Sequence, residues 1–374
     1  MRKSEVSIKK FVWHNIMRLF IFILIFFICS CGSKNTEGKL EYYDFVLKDK
    51  SANLIRLNEI KIKENDEKFI GEIMYVRIKN RKMFISDRIK NVIVVLNMMG
   101  EIEKVIGKNG RGPGEILEIS NFDVGDNGLI YLYDMGNRRF SIFDTGGIFL
   151  GSFNLNVNLY GLTHIRVKRN KLYINVVEPQ YLNPSEIYKS NRVAVIDTTG
   201  NLLVLFCKSD EIFKKFKLRY FSAVFDFDKF GNIYIAQSGT FRIYKFDSKY
   251  KLVKYFGHLG QFKLVDQDIP WGLPLHKTFE LVLRYSDTWS IHVRDSLIYY
   301  QFANLTMESF EKRNPFYHRY YLKVYDLDGN YIPSDIELPG RILDVDEDGN
   351  IYIYESNEPG KRRIGVYRLR IRDN

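Results

Sequence analysis

The chain of 374 residues contains little cysteine and little proline, and this scarcity excludes several architectures. Three cysteines are too few for a disulfide-stapled miniprotein, and nine prolines do not make a proline-rich linker. Beyond the N-terminal region no long stretch has helical periodicity, which argues against helical repeats and α/β folds. The composition is 45% hydrophobic and 15% aromatic, which predicts a globular protein.

The sequence also lacks a dense basic block, although its formal net charge is +11. Residues 1–30 hold five basic residues and one acidic residue, a net of +4, so the remainder carries +7. An excess of this size can attract acidic partners, but nucleic-acid binding requires basic residues in a cluster. We therefore expect a mildly basic surface and no nucleic-acid partner.

The N-terminus has the pattern of an export signal. Basic residues up to Arg18 are followed by ten apolar residues, 19–28. This run is too short for a membrane-spanning helix, which needs about 20 residues, and it fits the apolar region of a secretory signal peptide. The small residue before Cys31, with Ile28 three positions before it, resembles a bacterial lipobox.

The lipobox resemblance implies that Cys31 is acylated and becomes the new N-terminus. We therefore expect a signal peptide at 1–30 and a tether and lead-in at 31–52. The predicted location is the cell envelope, with the protein anchored by lipid to the outer membrane and facing the periplasm or the outside. A plain cleaved signal or an uncleaved anchor is the alternative. Cys207, within an apolar run, is expected to be buried and inert.

Past residue 70 one pattern of strands and turns recurs six times. Each unit alternates apolar and polar residues, is rich in Ile, Tyr and Val, and is bounded by Gly, Asn and Asp, as strands are. The clearest copies lie at 122–153, 225–247 and 343–369, and weaker copies begin near Tyr75, Ile165 and Ile291. Four-stranded units repeating every 40–60 residues or so indicate propeller blades.

The sixth copy lacks its fourth strand, because the chain stops soon after the third. The alternating segment 54–62 precedes the first copy and is a candidate to replace it. Such pairing would close the ring and remove an open sheet edge. The sequence thus predicts an all-β fold at 53–374, a monomeric six-bladed propeller of four-stranded antiparallel blades closed by an N-terminal strand.

One loop carries a family resemblance. The segment 106–115 contains Gly-Arg-Gly-Pro-Gly-Glu and leads on to Asp-Met-Gly-Asn-Arg-Arg-Phe at 134–140. It resembles the NHL-repeat propellers and, more closely, six-bladed propeller lipoproteins of Gram-negative bacteria. The resemblance implies a fold and a location but no established reaction, since related propellers include ligand binders, RNA binders and lyases.

Counting strands assigns the long insertions to one face. In an antiparallel blade, the loops after the second and fourth strands emerge on the same side. The aromatic-bearing insertions at 178–188, 260–288 and 304–319 and the Gly-rich loop at 107–115 all fall there. Functional residues of propellers lie in such loops. The ligand-binding candidates are Arg111, Glu115, Tyr181, Trp271, His276, Tyr317 and His318. Alternatively, the loops only pack over the central channel.

Other motifs carry little chemistry. Residues 344–355 match a calcium-loop pattern, but they are followed by a strand rather than a helix, so we expect an ordinary turn. The glycines of 107–114 lack the Lys-Ser/Thr pair of a phosphate loop. His258, His276 and His318 have no zinc spacing, and only their convergence in space would favour a metal or lyase site. No metal, cofactor or catalytic residue is predicted.

The favoured function is a non-catalytic, lipid-anchored binding module that recognises a protein, peptide or glycan on its loop-rich face. The alternative is an extracellular carbohydrate-active lyase or hydrolase with its site at the mouth of the channel. RNA binding ranks third, because the export signal excludes the usual compartment.

Overall fold

The computed structural model describes residues 42–215, 222–270, 272–312 and 315–374, and the structural statements below concern these residues. Predictions for the signal peptide, Cys31 and Trp271 lie outside them. Neither helix of the described residues has the length and apolar character needed to cross a membrane.

The first three blades follow two leading strands. These leading strands are β1 (Tyr42–Tyr43) and β2 (Lys50–Lys61). Blade one comprises β3 (Ile73–Lys79), β4 (Lys82–Asp87), β5 (Val92–Asn97) and β6 (Ile102–Ile106), and its outgoing loop holds β7 (Lys108–Asn109) and β8 (Glu115–Ile116). Blade two comprises β9 (Ile119–Val124), β10 (Leu129–Asp134), β11 (Arg139–Asp144) and β12 (Phe149–Phe153). Blade three comprises β13 (Ile165–Lys168), β14 (Lys171–Asn175), β15 (Asn191–Ile196) and β16 (Leu202–Lys208).

The last three blades include the two α-helices in their connections. Blade four comprises β17 (Ala223–Phe227), β18 (Ile233–Gln237), β19 (Ile243–Phe246) and β20 (Leu252–Phe256). Blade five comprises β21 (Ser286–Arg294), β22 (Leu297–Asn304), β23 (Arg319–Asp326) and β24 (Tyr331–Leu338). Blade six comprises β25 (Arg341–Val345), β26 (Asn350–Ser356), β27 (Arg363–Asp373) and β2. The helices are α1 (Leu275–Val282) and α2 (Met307–Glu311), with 3-10 turns at Pro179–Tyr181, Ile187–Lys189, Glu211–Lys214 and Pro315–Tyr317.

The blades form strands because their apolar residues are buried on both faces. In blade one Met83, Phe84 and Ile85 are consecutive and all buried, since each sheet packs between two neighbouring blades. Phe84 joins Phe122 of blade two in a cluster of the kind that fills each gap between blades. Sheet packing on both sides explains the near-continuous β-branched and aromatic runs.

An N-terminal strand closes the ring, which confirms the prediction. Strand β2 pairs antiparallel with β27 and places Leu54 opposite Leu369 and Ile60 opposite Ile364. The lead-in before β2 also contacts the propeller, because β1 pairs in parallel with β20 and Val46 forms a bridge to Tyr331. The described part of the predicted tether and lead-in, from residue 42 onward, is therefore attached to blades four and five.

Connections differ in length between the two faces of the ring. One face, which we call the short-turn face, carries the loops after the first and third strands, and these are two to five residues long. Several are built by an aspartate, as where Asp228 accepts the N–H groups of Phe230 and Asn232, both at 2.9 Å. Asp346 forms the same turn, which confirms an ordinary turn in the calcium-loop pattern. The opposite side, called the loop face, carries the longer connections with α1 and α2.

Candidate functional site

Acidic and basic side chains alternate around the central channel. The first strand of each blade contributes one buried charged or titratable residue at the same position. These six residues, called the charge ring, are Arg77, Asp123, Arg166, Asp226, His292 and Asp344. The first strand of every blade lines the channel. The charge ring therefore lies midway along the channel, between its two mouths.

Each acid of the ring holds the next blade by its backbone. The carboxylate of one blade accepts the N–H group of the residue that follows the basic or imidazole member of the next blade. The three bonds are Val167 to Asp123 at 2.7 Å, Val293 to Asp226 at 3.0 Å and Ile78 to Asp344 at 2.7 Å. Buried carboxylates need such donors, so the ring joins neighbouring blades in pairs.

Guanidinium groups complete the neutralisation of these acids. Arg77 Nε donates to Asp123 at 2.9 Å, and Arg294 Nη1 donates to Asp226 at 2.6 Å. Burial alone would raise the pKa of Asp226, but Arg294 and Arg166 outweigh it and hold the pKa well below its usual range. Burial lowers the pKa of His292, whose Nδ1 lies 3.3 Å from Asp344 Oδ1. The ring is therefore structural, and it leaves no free carboxylate for acid–base chemistry.

The channel has a cavity at each mouth, and ring residues Arg77 and Arg166 line both. The cavity on the short-turn face has a volume of about 290 Å³, and its charges pair with each other across blades. Lys79, for example, contacts Glu347 at 2.6 Å and Asp126 at 3.1 Å. Its polar groups are thus largely satisfied within the protein.

The cavity on the loop face has a volume of about 320 Å³ and a different lining. We call it the loop-face cavity. Tyr75, His164 and Trp289 contribute aromatic rings, and Gln301 and Arg341 contribute polar groups. A β-bulge in β21 displaces Trp289 from the register, since Thr288 and Ser290 pair with Phe302 and Gln301. Bulges of this kind redirect a side chain and are common beside functional sites.

Two residues that line the loop-face cavity each carry a buried hydrogen-bond donor, covered from the cavity, that has no acceptor among the described residues. These donors are the indole Nε1 of Trp289 and the amide Nε2 of Gln301, a residue that is only 1% exposed. Buried polar groups are normally paired, so such orphans call for an explanation. Arg341 donates one N–H to the carbonyl of Ile73 at 2.6 Å, and no carboxylate of the described residues forms an ion pair with it.

Asp287 is the one carboxyl among the described residues that line this cavity. Burial raises the pKa of Asp287 to about 6, although hydrogen bonds from Ser238, Thr288 and Gly239 partly oppose the shift. The backbone N–H of Thr288 donates to its Oδ1 at 2.9 Å. Asp287 therefore loses its proton at a higher pH than an ordinary aspartate.

The Gly-rich loop holds its own candidates away from the cavity. Glu115 accepts the N–H of Gly112 at 2.7 Å and pairs with Lys108 at 2.9 Å, and these contacts lower its pKa. The carbonyl of Gly112 in turn accepts from Arg139 at 2.6 Å. Glu115 is thus engaged in bracing the loop, while Arg111 is exposed, and neither lines the loop-face cavity.

The remaining described candidates also lie outside the cavity wall. Tyr181 belongs to a 3-10 turn, and His276 is exposed on α1. The backbone carbonyl of Tyr317 accepts from the Thr306 hydroxyl at 2.7 Å. His318 comes nearest, because its ring packs edge-on against Trp289 at a centroid distance of 5.5 Å. Burial lowers the pKa of His318 to about 4, so it is neutral near pH 7.

The three histidines do not converge on a metal site. His258 stacks on Tyr331 and its Nδ1 lies 3.1 Å from Asp44, whereas His318 packs on Trp289. Among the described residues no group of three or more His, Cys, Asp or Glu side chains is placed to hold a metal ion. This arrangement does not favour the metal or lyase alternative.

Reasoning from the loops missed the residues that line the cavity. Asp287, Trp289 and Arg341 lie at the start of first strands, and Gln301 lies on a second strand. The alternation of basic and acidic residues at one position of successive repeats was a usable signal for the channel lining. No comparable repeat pattern marks Trp289, which a β-bulge in β21 takes out of register.

Comparisons with known proteins agree with the architecture. A family model described as "6-bladed beta-propeller" (DUF5128) matches residues 34–269, more than half of the chain. A member of the DUF4221 family from Bacteroides vulgatus superposes with a TM-score of 0.68 at 13% identity, covering 87% of this chain and 100% of that chain. A putative exported protein from Bacteroides fragilis gives 0.56 at 15% identity, covering 88% and 99%. Likeness at these identities concerns the fold alone. The comparison with curated proteins returned no match.

Proposed function

The chain belongs to this family of six-bladed β-propellers, and we propose that it is a non-catalytic binding module that takes part of a protein, peptide or glycan into its loop-face cavity. The observation that supports the proposal is the loop-face cavity itself, which is walled by the aromatic rings of Tyr75, His164 and Trp289 and includes the polar side chain of Arg341. Ligand sites are typically concave pockets of this kind, lined by aromatic side chains with a few polar groups that orient the ligand.

The lining supports binding more than hydrolysis. Glycosidases of the usual kind need two carboxyl groups on either side of the scissile bond. Among the described residues that line the loop-face cavity, Asp287 is the single carboxyl group, and the three ring aspartates are engaged by backbone N–H groups. A carbohydrate-active enzyme therefore remains the second candidate function.

The binding role is tested by comparing two aromatic truncations. Trp289→Ala removes an orphaned donor and a wall of the loop-face cavity, whereas Phe230→Ala removes an exposed ring on the short-turn face. Each immobilised variant would be offered an array of glycans and peptides and an envelope extract, after circular dichroism has confirmed folding. We expect Trp289→Ala to lose the ligands that the unchanged protein and Phe230→Ala retain. Equal capture by all three proteins would refute this site.

The proposal includes attachment to the outer membrane through lipid on Cys31, with the propeller in the cell envelope. It rests on the lipobox-like sequence around Cys31, which lies outside the described residues. Metabolic labelling with a fatty-acid probe should label the unchanged protein and Cys29→Ser but not Cys31→Ser. Labelling and membrane association that persist in Cys31→Ser would exclude this anchor.

A further inference from the structure

We propose that the short-turn face carries a second binding surface, which holds a linear acidic glycan on a row of three arginines. The row consists of Arg368, Arg370 and Arg372 of β27, and we call it the arginine row. It is separate from the loop-face cavity, and it takes from the proposed function only the location in the cell envelope.

The arginine row lies on a two-stranded ribbon that extends beyond blade six. The pairing of β27 with β26 ends where Arg368 lies opposite Asn350. The pairing of β27 with β2 continues to Asp373, which lies opposite Lys50. Since Asn350 follows the turn between β25 and β26, the ribbon projects past that turn on the short-turn face. Ring closure does not require this extension, because β2 and β27 are already paired alongside β26.

One face of the ribbon is anchored to the propeller. Leu54 and Leu369 lie opposite each other and pack into the core cluster between blades five and six. At the far end, the N–H of Asn374 donates to the carbonyl of Asp49 at 2.7 Å. Because successive side chains of a strand point to opposite faces, the arginine row lies on the face turned away from this core. Its partners across the ribbon are Ser51, Asn53 and Ile55, so none of these six positions is acidic.

The positive charge of the arginine row is not neutralised within the described part of the chain. All three arginines are exposed, and none forms an ion pair with a carboxylate of the described residues. Arg368 donates to the Asn350 side-chain oxygen at 2.7 Å and to the carbonyl of Asp348 at 3.4 Å, and both acceptors are uncharged. The acid of the ribbon itself, Asp373, lies on the other face, opposite Lys50.

The geometry of the row favours an extended chain of anions as its partner. Neighbouring arginines are about 7 Å apart along the strand, because each residue advances it by about 3.4 Å. Guanidinium groups in a line do not converge on one small anion. A protein partner would need an apolar centre, and Ile55 is the one apolar side chain among the residues facing the row. Carboxylates repeated along a polyuronate can each take the paired N–H groups of an arginine.

The position of the ribbon favours a glycan over a lipid surface. The lead-in begins at β1, which pairs with Tyr255 and Phe256 at the end of β20. The loop-face connection to blade five starts from that end, so the lead-in begins toward the loop face. The arginine row instead projects from the short-turn face, away from the end of the lead-in that follows the proposed lipid anchor. The export signal disfavours a nucleic acid.

Fluorescence anisotropy with a labelled octagalacturonate tests this surface on the full-length protein in detergent. The fully methyl-esterified oligomer is the matched probe, because it keeps the sugar chain and loses the charges. We expect the acid to bind and the ester not to bind. The affinity for the acid should fall as salt is added, since the arginines are exposed and their charges are screened.

Charge-matched variants locate the binding. Replacing all three arginines of the row by Gln should lower the affinity about tenfold or more, whereas replacing them by Lys should retain most of it. The control replaces three exposed arginines elsewhere by Gln and changes the net charge equally. These controls are Arg169, Arg319 and Arg363. The control should bind nearly as the unchanged protein does, and the thermal midpoint of each variant would show that it is folded.

Every other outcome overturns the proposal. Equal losses in the row variant and the control would leave only a general effect of net charge, and equal binding of acid and ester would exclude the carboxylates. Row-dependent binding to phosphatidylglycerol vesicles or to an oligodeoxynucleotide, with none to octagalacturonate, would replace the glycan by that partner. Trp289→Ala should keep its affinity for octagalacturonate, so a failure of the loop-face cavity is distinguishable from a failure of the arginine row.

Discussion

Replacing Asp123 by Asn tests whether the charge ring joins the blades. Asp123 is buried midway along the channel, with 8% of its side chain exposed, and it pairs with Arg77 at 2.9 Å. It also accepts the Val167 N–H from blade three at 2.7 Å. The amide keeps the size and an acceptor oxygen but removes the negative charge, so Arg77 remains buried without its anion.

The expected loss of stability follows from that burial. Removing one partner of a buried ion pair costs about 3–5 kcal/mol, since the other charge stays desolvated. For the about 330 residues from Tyr42 to Asn374, the entropy of unfolding is roughly 0.7 kcal/mol/K. The thermal midpoint of Asp123→Asn should therefore fall by about 4–7 °C.

Asp126→Asn is the matched control, three residues along in the same blade. Its side chain is 56% exposed, and its partner Lys79 also pairs with Glu347, so its loss should cost less than about 1 kcal/mol. The midpoint of this control should then fall by under about 1.5 °C. Calorimetry at one pH and one scan rate measures both variants. Equal shifts would refute the assignment of Asp123 to a buried, stabilising ring.

Two further predictions concern ring closure and the cavity acid. Ile60→Ala should lower the free energy of unfolding by about 2–4 kcal/mol, because Ile60 of β2 is 4% exposed in the core, while Leu57→Ala on the same strand, 50% exposed, should change it little. Urea unfolding measures both, and equal effects would contradict closure by β2. Burial raises the pKa of Asp287 to about 6 in the folded protein, so folding favours the protonated carboxyl. The stability of the unchanged protein relative to Asp287→Asn should therefore fall as pH rises from about 4 to 6. Thermal midpoints that run parallel over that range would exclude the shift.

Much of the fold could be predicted from the sequence, because the strands and turns of a blade are formed by residues that lie close together in the chain. Period-two alternation and turns such as that at Asp228 depend on residues within a few positions of each other. The closing strand was also predictable, since the sixth repeat lacked a strand and an alternating segment preceded the first. The structure confirms six blades and the pairing of β2 with β27.

The cavity was not predictable in the same way. Glu115 looked available for a ligand, but the folded loop uses it to bind Gly112 and Lys108. Trp289 lies within a strand and gave no loop signal, yet a bulge in β21 takes it out of register.

The sequence by itself therefore determined the strand repeats, their turns and their number, because these follow from short-range alternation and turn chemistry. Only the tertiary structure decided which residues meet at the channel. Tyr75 and Arg341 line one cavity although most of the chain separates them, because ring closure brings the first strand of every blade to a common axis.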